Sequence, residues 1–256
     1  MKLTRKLIPA MIMLLVSAVL MSTASFAWFA MNTTVKAQGM AVKAKADSIF
    51  LEISGKQDKK GETDVWGTTG TDMVVDEETG KVTTPVQLYP VDHKAFTKPA
   101  DIDTNTSWFF KYVTDPNNAT TGASEDKAIG AFGDYVYKTT YKVRLNPNMV
   151  NKAYDLYVSS ISIPVDTGIT VIICCDQGAD DTAANIQEFS ETSNSIEWSA
   201  EKNLADELVM EDANDYCVVS VYIYIDGTHE KVYTNNAAAL AGEVEFTLSA
   251  SGANRG

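Results

Sequence analysis

Tyr135-Val-Tyr-Lys-Thr-Thr-Tyr-Lys-Val-Arg-Leu145 decides the fold. Successive side chains of an extended strand point to opposite sides, so Tyr135, Tyr137, Thr139, Tyr141, Val143 and Leu145 share one face. Lys138, Thr140, Lys142 and Arg144 share the other. One buried face and one wet face is the signature of an antiparallel sheet packed on a core. The same period of two recurs on both sides of this stretch, and long helical periodicity is nearly absent after the N-terminal segment. The chain therefore reads as all-β.

Working downstream, Tyr154 to Ile163 changes parity at Ser159-Ser160, from Leu156 and Val158 to Ile161 and Ile163, which predicts a β-bulge. Ile169 to Cys175 is apolar on both faces, as a central strand would be. Tyr216 to Ile225 puts Cys217, Val219, Val221, Ile223 and Ile225 on one apolar face. Asp226-Gly227 then marks a turn, Glu230 to Thr234 a returning segment, and Glu243 to Ser249 a last strand with Val244, Phe246 and Leu248 inward.

Upstream, Ser107 to Val113 predicts an aromatic strand, Thr84 to Pro90 an extended path and Ser48 to Ser54 a short strand. Val35 to Lys45 alternates through Val35, Ala37 and Gly39 before Met40, Val42 and Ala44 change parity, a shift that a bulge at Gly39 explains. Three stretches interrupt the pattern. Residues 55–86 are rich in Gly, Thr, Asp and Lys and read as an excursion with a hairpin turning at Glu78-Thr79-Gly80; 114–126 and the acidic 176–198 read as loops.

The N-terminus has a different character. Lys2, Arg5 and Lys6 precede an apolar run from Leu7 to Leu20, and Ser25-Phe26-Ala27 places small residues where a signal peptidase needs them. Residues 1–27 thus read as an export signal, a hydrophobic helix cut after Ala27 between the cleavage-site residues Ser25 and Ala27 on one side and Trp28 on the other. Residues 28–256 form the exported body, one domain with the three insertions. Apolar character continues through Trp28, Phe29, Ala30 and Met31, so an uncleaved membrane anchor remains a second reading. Either way the expected location is secreted, extracellular or at the cell surface, with any membrane contact made through the uncleaved signal alone.

Composition narrows the partners. The net charge is −13, and losing Lys2, Arg5 and Lys6 leaves 18 basic against 34 acidic residues, a charge of −16. Such a surface repels phosphate backbones and anionic lipid, which argues against nucleic-acid binding. Cys174 and Cys175 are adjacent on a strand and so point to opposite faces; at most one of them can reach Cys217. Buried apolar thiols are the favoured reading and a single bridge the other.

Catalytic patterns are missing. The two histidines, His93 and His229, lie far apart in loop-like contexts, and no His-Glu-x-x-His, Gly-x-Ser-x-Gly, phosphate-binding loop or dinucleotide fingerprint occurs. We expect no enzyme, no cofactor and no bound metal; Asp176, Asp180 and Asp181 lack the spacing of a calcium loop and read as solvated. Trp66, Trp108, Phe109, Phe110 and Trp198 admit a sugar-stacking platform, against the commoner duty of aromatics in cores.

Two stretches carry a resemblance. Thr23-Ala-Ser-Phe-Ala-Trp-Phe29 with Val35-Lys-Ala-Gln-Gly-Met-Ala-Val-Lys-Ala-Lys45, and Val221-Tyr-Ile-Tyr-Ile-Asp-Gly227 with Val232-Tyr-Thr-Asn-Asn-Ala237, resemble exported Firmicutes proteins of the TasA and camelysin family. The resemblance implies a SipW-type signal peptidase, a jelly-roll-like antiparallel β-sandwich, and assembly into extracellular matrix or biofilm fibres of a Gram-positive cell. In such fibres the mature N-terminal segment adds a strand to the next subunit, by main-chain pairing. Carried onto this chain, the donor is Trp28 to Val42, with Trp28, Phe29, Val35, Met40 and Val42 as assembly residues and copies of the chain or related matrix proteins as partners. Camelysin is grouped with metalloproteases, but no matching metal motif occurs here. A monomeric surface module binding glycan or a host ligand is the alternative.

Overall fold

The computed structural model describes residues 41–46, 51–54, 66–67, 69–73, 87–113, 122–146, 153–165, 167–175, 185–197, 199–209, 215–232, 238–239 and 243–252. All of them belong to the second of two compact units, Met1–Lys36 and Ala37–Gly256. In chain order the strands are β1 (Ala41–Ala46), β2 (Leu51–Ser54), β3 (Trp66–Gly67), β4 (Thr69–Met73), β5 (Gln87–Leu88), β6 (Val91–His93), β7 (Trp108–Val113) and β8 (Gly122–Ala128). They continue with β9 (Val136–Leu145), β10 (Tyr154–Ser162), β11 (Ile169–Cys175), β12 (Ile186–Phe189), β13 (Asn203–Leu208), β14 (Cys217–Ile225), β15 (Ala238–Ala239) and β16 (Glu243–Gly252). Short 3-10 turns such as Pro99–Asp101 and Phe132–Asp134 connect them.

The fold is an all-β sandwich. One sheet has the order β13-β10-β16-β1-β4 and the other β12-β11-β14-β9-β2-β3. Pairing is antiparallel throughout the named strand pairs except between β1 and β16, which run parallel with Val42 opposite Val244 and Ala44 opposite Phe246. Between the sheets lie the residues that alternation pointed inward: Val42 and Ala44, Tyr141 and Val143, Leu156, Ile161, Val171, Ile173, Val219, Ile223, Phe246 and Leu248. The bulge expected at Ser159-Ser160 is present, since the β10–β16 register shifts between Val158 and Ser160. It lets Leu156, Val158 and Ile161 all reach the core although their parity differs.

The six-stranded sheet is covered on its other face too. A small sheet, β6-β7-β8, with the segments around it brings Val91, Ile102, Trp108 and Ile129 onto Val136, Ile172, Cys174, Tyr222 and Tyr224. That explains why every residue of β11 is buried, although β11 lies next to the edge strand β12 rather than at the centre of its sheet. It also corrects the reading of β9 as wet along one whole face: Val136 is 1% exposed under the cap, while Lys138 and Thr140 stay exposed.

Polar strands were hidden from alternation. Gly122–Ala128 lies largely inside the stretch read as the 114–126 loop yet pairs with β7, and Ile186–Phe189, inside the 176–198 stretch, pairs with β11. Both are outermost strands of their sheets, held by backbone hydrogen bonds on one side, and in Ile186–Phe189 only the two end residues, Ile186 and Phe189, pack on apolar clusters. Asn203–Leu208 was not foreseen as a strand either. The described strands within 55–86, Trp66–Gly67 and Thr69–Met73, supply an outermost strand to each sheet, β3 and β4. The hairpin expected around Glu78, the residues 114–121 and the acidic residues Asp176, Asp180 and Asp181 lie outside the described residues.

Asp226-Gly227 is a turn, but no hairpin follows it among the described residues. β14 is paired on both sides by earlier strands, β9 and β11, so a return strand has no place beside it. The turn instead docks on the cap: Gly227 N–H donates to the Val91 carbonyl at 2.8 Å.

Candidate functional site

Of the residues expected to act in export and assembly, Ser25, Ala27, Trp28, Phe29, Val35 and Met40 lie outside the described residues. Val42 is described, and it belongs to the protein's own core. It is 1% exposed in β1, between β16 and β4, and its carbonyl accepts the Tyr141 hydroxyl at 3.1 Å from the opposite sheet. The outer face of this strand is charged and wet, with Lys43 bridged to Glu243 at 2.5 Å and Lys45 bridged to Glu245.

Among the described residues, the aromatics suggested as a sugar platform do not form one exposed surface. Trp108 is 0% exposed, and its indole N–H donates to the Ile102 carbonyl at 2.7 Å. A buried Trp with a satisfied N–H is an anchor for the cap, which removes it from any exposed surface. Trp66 is half-buried on β3, 4.2 Å beneath the Arg144 guanidinium, whose Nε and Nη2 reach Glu52 at 2.8 and 2.6 Å. Trp198 lies outside the described residues. A different set of rings is contiguous: Tyr89 lies 6.5 Å from Phe110 and 5.6 Å from Tyr135, and Phe110 lies 5.6 Å from Tyr112. Tyr89 is 40% exposed and the other three are half-buried.

The cysteines occupy both faces as their adjacency requires. Cys174 packs under the cap and Cys175 between the sheets; Cys217 shares the Cys175 side. No disulfide joins them, and all three are buried. The hydrogen bond with Cys175, burial and Cys175's charge together push the Cys217 thiol well above its ordinary value. Buried and held protonated, Cys217 is a poor nucleophile.

The most concentrated chemistry lies where sequence reading saw only a loop histidine. His93, at the end of β6, stacks on Phe96 at 4.4 Å and meets the edges of Trp108 at 5.2 Å and Tyr224 at 5.7 Å. Its Nδ1 lies 2.9 Å from the Lys94 carbonyl and its Nε2 lies 3.1 Å from Glu188 Oε1 on β12. The Tyr224 hydroxyl donates to the same Glu188 oxygen. A backbone carbonyl only accepts, and this carboxylate oxygen already receives the phenol proton, so both imidazole nitrogens face acceptors, an arrangement that only the doubly protonated ring satisfies in full.

The electrostatics agree. Burial works against the charged ring, but hydrogen bonds to Glu188 and the Lys94 carbonyl, with the charges of Glu188 and Asp92, outweigh it and raise His93 above its ordinary value. Burial likewise opposes the Glu188 carboxylate, yet the bonds from His93 and Tyr224 hold it below its ordinary value. Burial and the neighbouring Glu188 charge push the Tyr224 phenol far up, so it remains a donor. The cue available in sequence was Tyr222 and Tyr224 on the outward side of an otherwise apolar strand; outward rings call for a cover. Among the described residues, no group of three or more His, Cys, Asp or Glu side chains is set to hold a metal ion. No protein-family model, no curated protein and no solved structure matches this chain.

Proposed function

We propose that this chain is an exported structural protein, secreted or displayed at the cell surface, that assembles with copies of itself or with related matrix proteins by donating its N-terminal strand. The supporting observation is the position of β1. Val42, Ala44 and Ala46 fill the protein's own core, so the alternating apolar stretch read as a donor is divided. Residues 41–46 complete the subunit, and Trp28 to Met40 are the part left for a neighbour. The β-sandwich suits such a partner, because an added strand gains main-chain bonds along a sheet edge while side-chain pockets set its register.

Deletion of Trp28–Thr34 from the mature chain tests this reading. It leaves β1 intact, so the variant is expected to keep its β-rich circular dichroism spectrum but not to form the filaments expected of the full mature chain by negative-stain microscopy. Filaments of undiminished length and yield from the variant would refute strand donation.

The run of Tyr89, Phe110, Tyr112 and Tyr135 favours one alternative, a monomeric module that stacks glycan rings on its outer layer. Saturable glycan-array binding by a stable monomer, abolished in Tyr89→Ala/Tyr112→Ala, would favour it over assembly.

A further inference from the structure

We propose that His93, Glu188 and Tyr224 form a pH-gated latch fastening strand β12 to the cap, closed while the His93 ring carries two protons and loosened when it carries one. The three residues come from three elements, β6 of the cap and β12 and β14 of the six-stranded sheet. Among the described residues the sole strand partner of the four-residue β12 is β11. A short outermost strand held on one side is the kind of element that opens locally at low cost. Beyond that pairing, the Gln187 side-chain amide donates to the Glu201 carbonyl at 3.2 Å, and the His93–Glu188 contact ties the strand to the cap.

The geometry makes the ion pair, and the two ring bonds held together, conditional on protonation. A neutral imidazole has one N–H. If Nδ1 keeps it for the Lys94 carbonyl, the Nε2 lone pair faces Glu188 Oε1 at 3.1 Å, acceptor against acceptor. If Nε2 keeps it, the Lys94 carbonyl loses its bond. Either way the ion pair is gone. Among the described residues, the titratable groups facing the ring are Asp92 on its own strand, Glu188 from β12 and the neutral Tyr224 from β14, with Asp226 beyond it. Lys111 of β7 bridges Asp92 at 2.6 Å, which leaves Glu188 as the ring's principal counter-ion.

The direction of the pH effect follows from linkage. His93, raised on folding, contributes stability that is complete below the ordinary imidazole value and is lost as pH rises through the folded value. Glu188, lowered on folding, contributes stability that is present above the ordinary carboxylate value and is lost as pH falls through its folded value. The latch is closed between these two limits.

Hydrogen exchange of the full chain, read by mass spectrometry and corrected for intrinsic rates, tests it from about pH 6 to about pH 9. Protection across Ile186–Phe189 is expected to fall severalfold as His93 deprotonates, with the step above the ordinary imidazole value. In His93→Gln the low protection is expected at every pH, with no step, while His229→Gln keeps the wild-type step. Long-range nitrogen–proton correlation spectra of the wild-type protein provide the second measurement, independent of whether any variant folds. Two protonated ring nitrogens on His93 at neutral pH support the latch. A ring with one protonated nitrogen at that pH, a step that survives in His93→Gln, or flat wild-type protection across the range would each overturn it.

Discussion

The two faces of the six-stranded sheet are buried by different means. The inner face meets the other sheet mainly through apolar side chains at a period of two, among them Val219, Val221 and Ile223 on one side and Val42, Val158 and Phe246 on the other, with the Tyr141 hydroxyl bonded to the Val42 carbonyl among them. The outer face meets the cap through rings that each carry a polar attachment: Trp108 to the Ile102 carbonyl, Tyr224 to Glu188, and Lys138 bridging Asp103 at 2.8 Å while lying 5.1 Å over the Tyr222 ring. Aliphatic packing is non-directional and tolerant of sliding, whereas hydrogen-bonded rings fix orientation. The sandwich supplies bulk stability; the cap is positioned by specific contacts.

The largest effect is expected from the inner face. Phe246→Ala removes a fully buried ring that meets Tyr141 at 5.9 Å and should cost about 3 to 5 kcal/mol in urea unfolding, with both layers lost in one transition. A smaller, local effect is expected where the cap docks. A Cβ at Gly227 would lie 1.8 Å from the Lys111 carbonyl oxygen of β7, so Gly227→Ala must push that strand away and should cost about 1 to 3 kcal/mol. Hydrogen exchange should then rise in β6 and β7 while β10 and β16 stay protected; uniform loss would mean that cap and sandwich are a single cooperative layer. Tyr141→Phe is the mildest test, deleting the hydroxyl bond to Val42 across the sandwich for about 1 kcal/mol. A null result there would show that the inner face relies on apolar burial alone.

The same contrast explains what could be read from residues in advance. Inner positions of β9, β10, β14 and β16 were legible because one buried face imposes strict alternation, and even the Ser159-Ser160 bulge announced itself as a change of parity. The cap was not legible, because its partners lie far apart in the chain and its strands are short: Val91–His93 spans three residues, and Gly122–Ala128 carries Ser, Glu, Asp and Lys in succession. His93 looked like a loop residue since its neighbours in sequence are Asp92 and Lys94. Its neighbours in space are Phe96, Trp108, Tyr224 and Glu188, up to 131 positions away. Pairing across such distances leaves no periodic trace.

Strand β16 lies between β10 and β1, antiparallel to the one and parallel to the other. During synthesis the chain therefore carries an unfinished sheet for nearly its whole length, with β1 and β4 on one side of a gap and β10 and β13 on the other. The gap closes only when residues 243–252 emerge. Contacts joining Val42 to Val244 span some two hundred positions and rank among the slowest kind to form, since loop closure precedes any reward from pairing. Until then the apolar sides of Val42, Ala44, Leu156 and Val158 have no completed layer to fill, and this interval is when the nascent protein is most exposed to aggregation or in need of a chaperone.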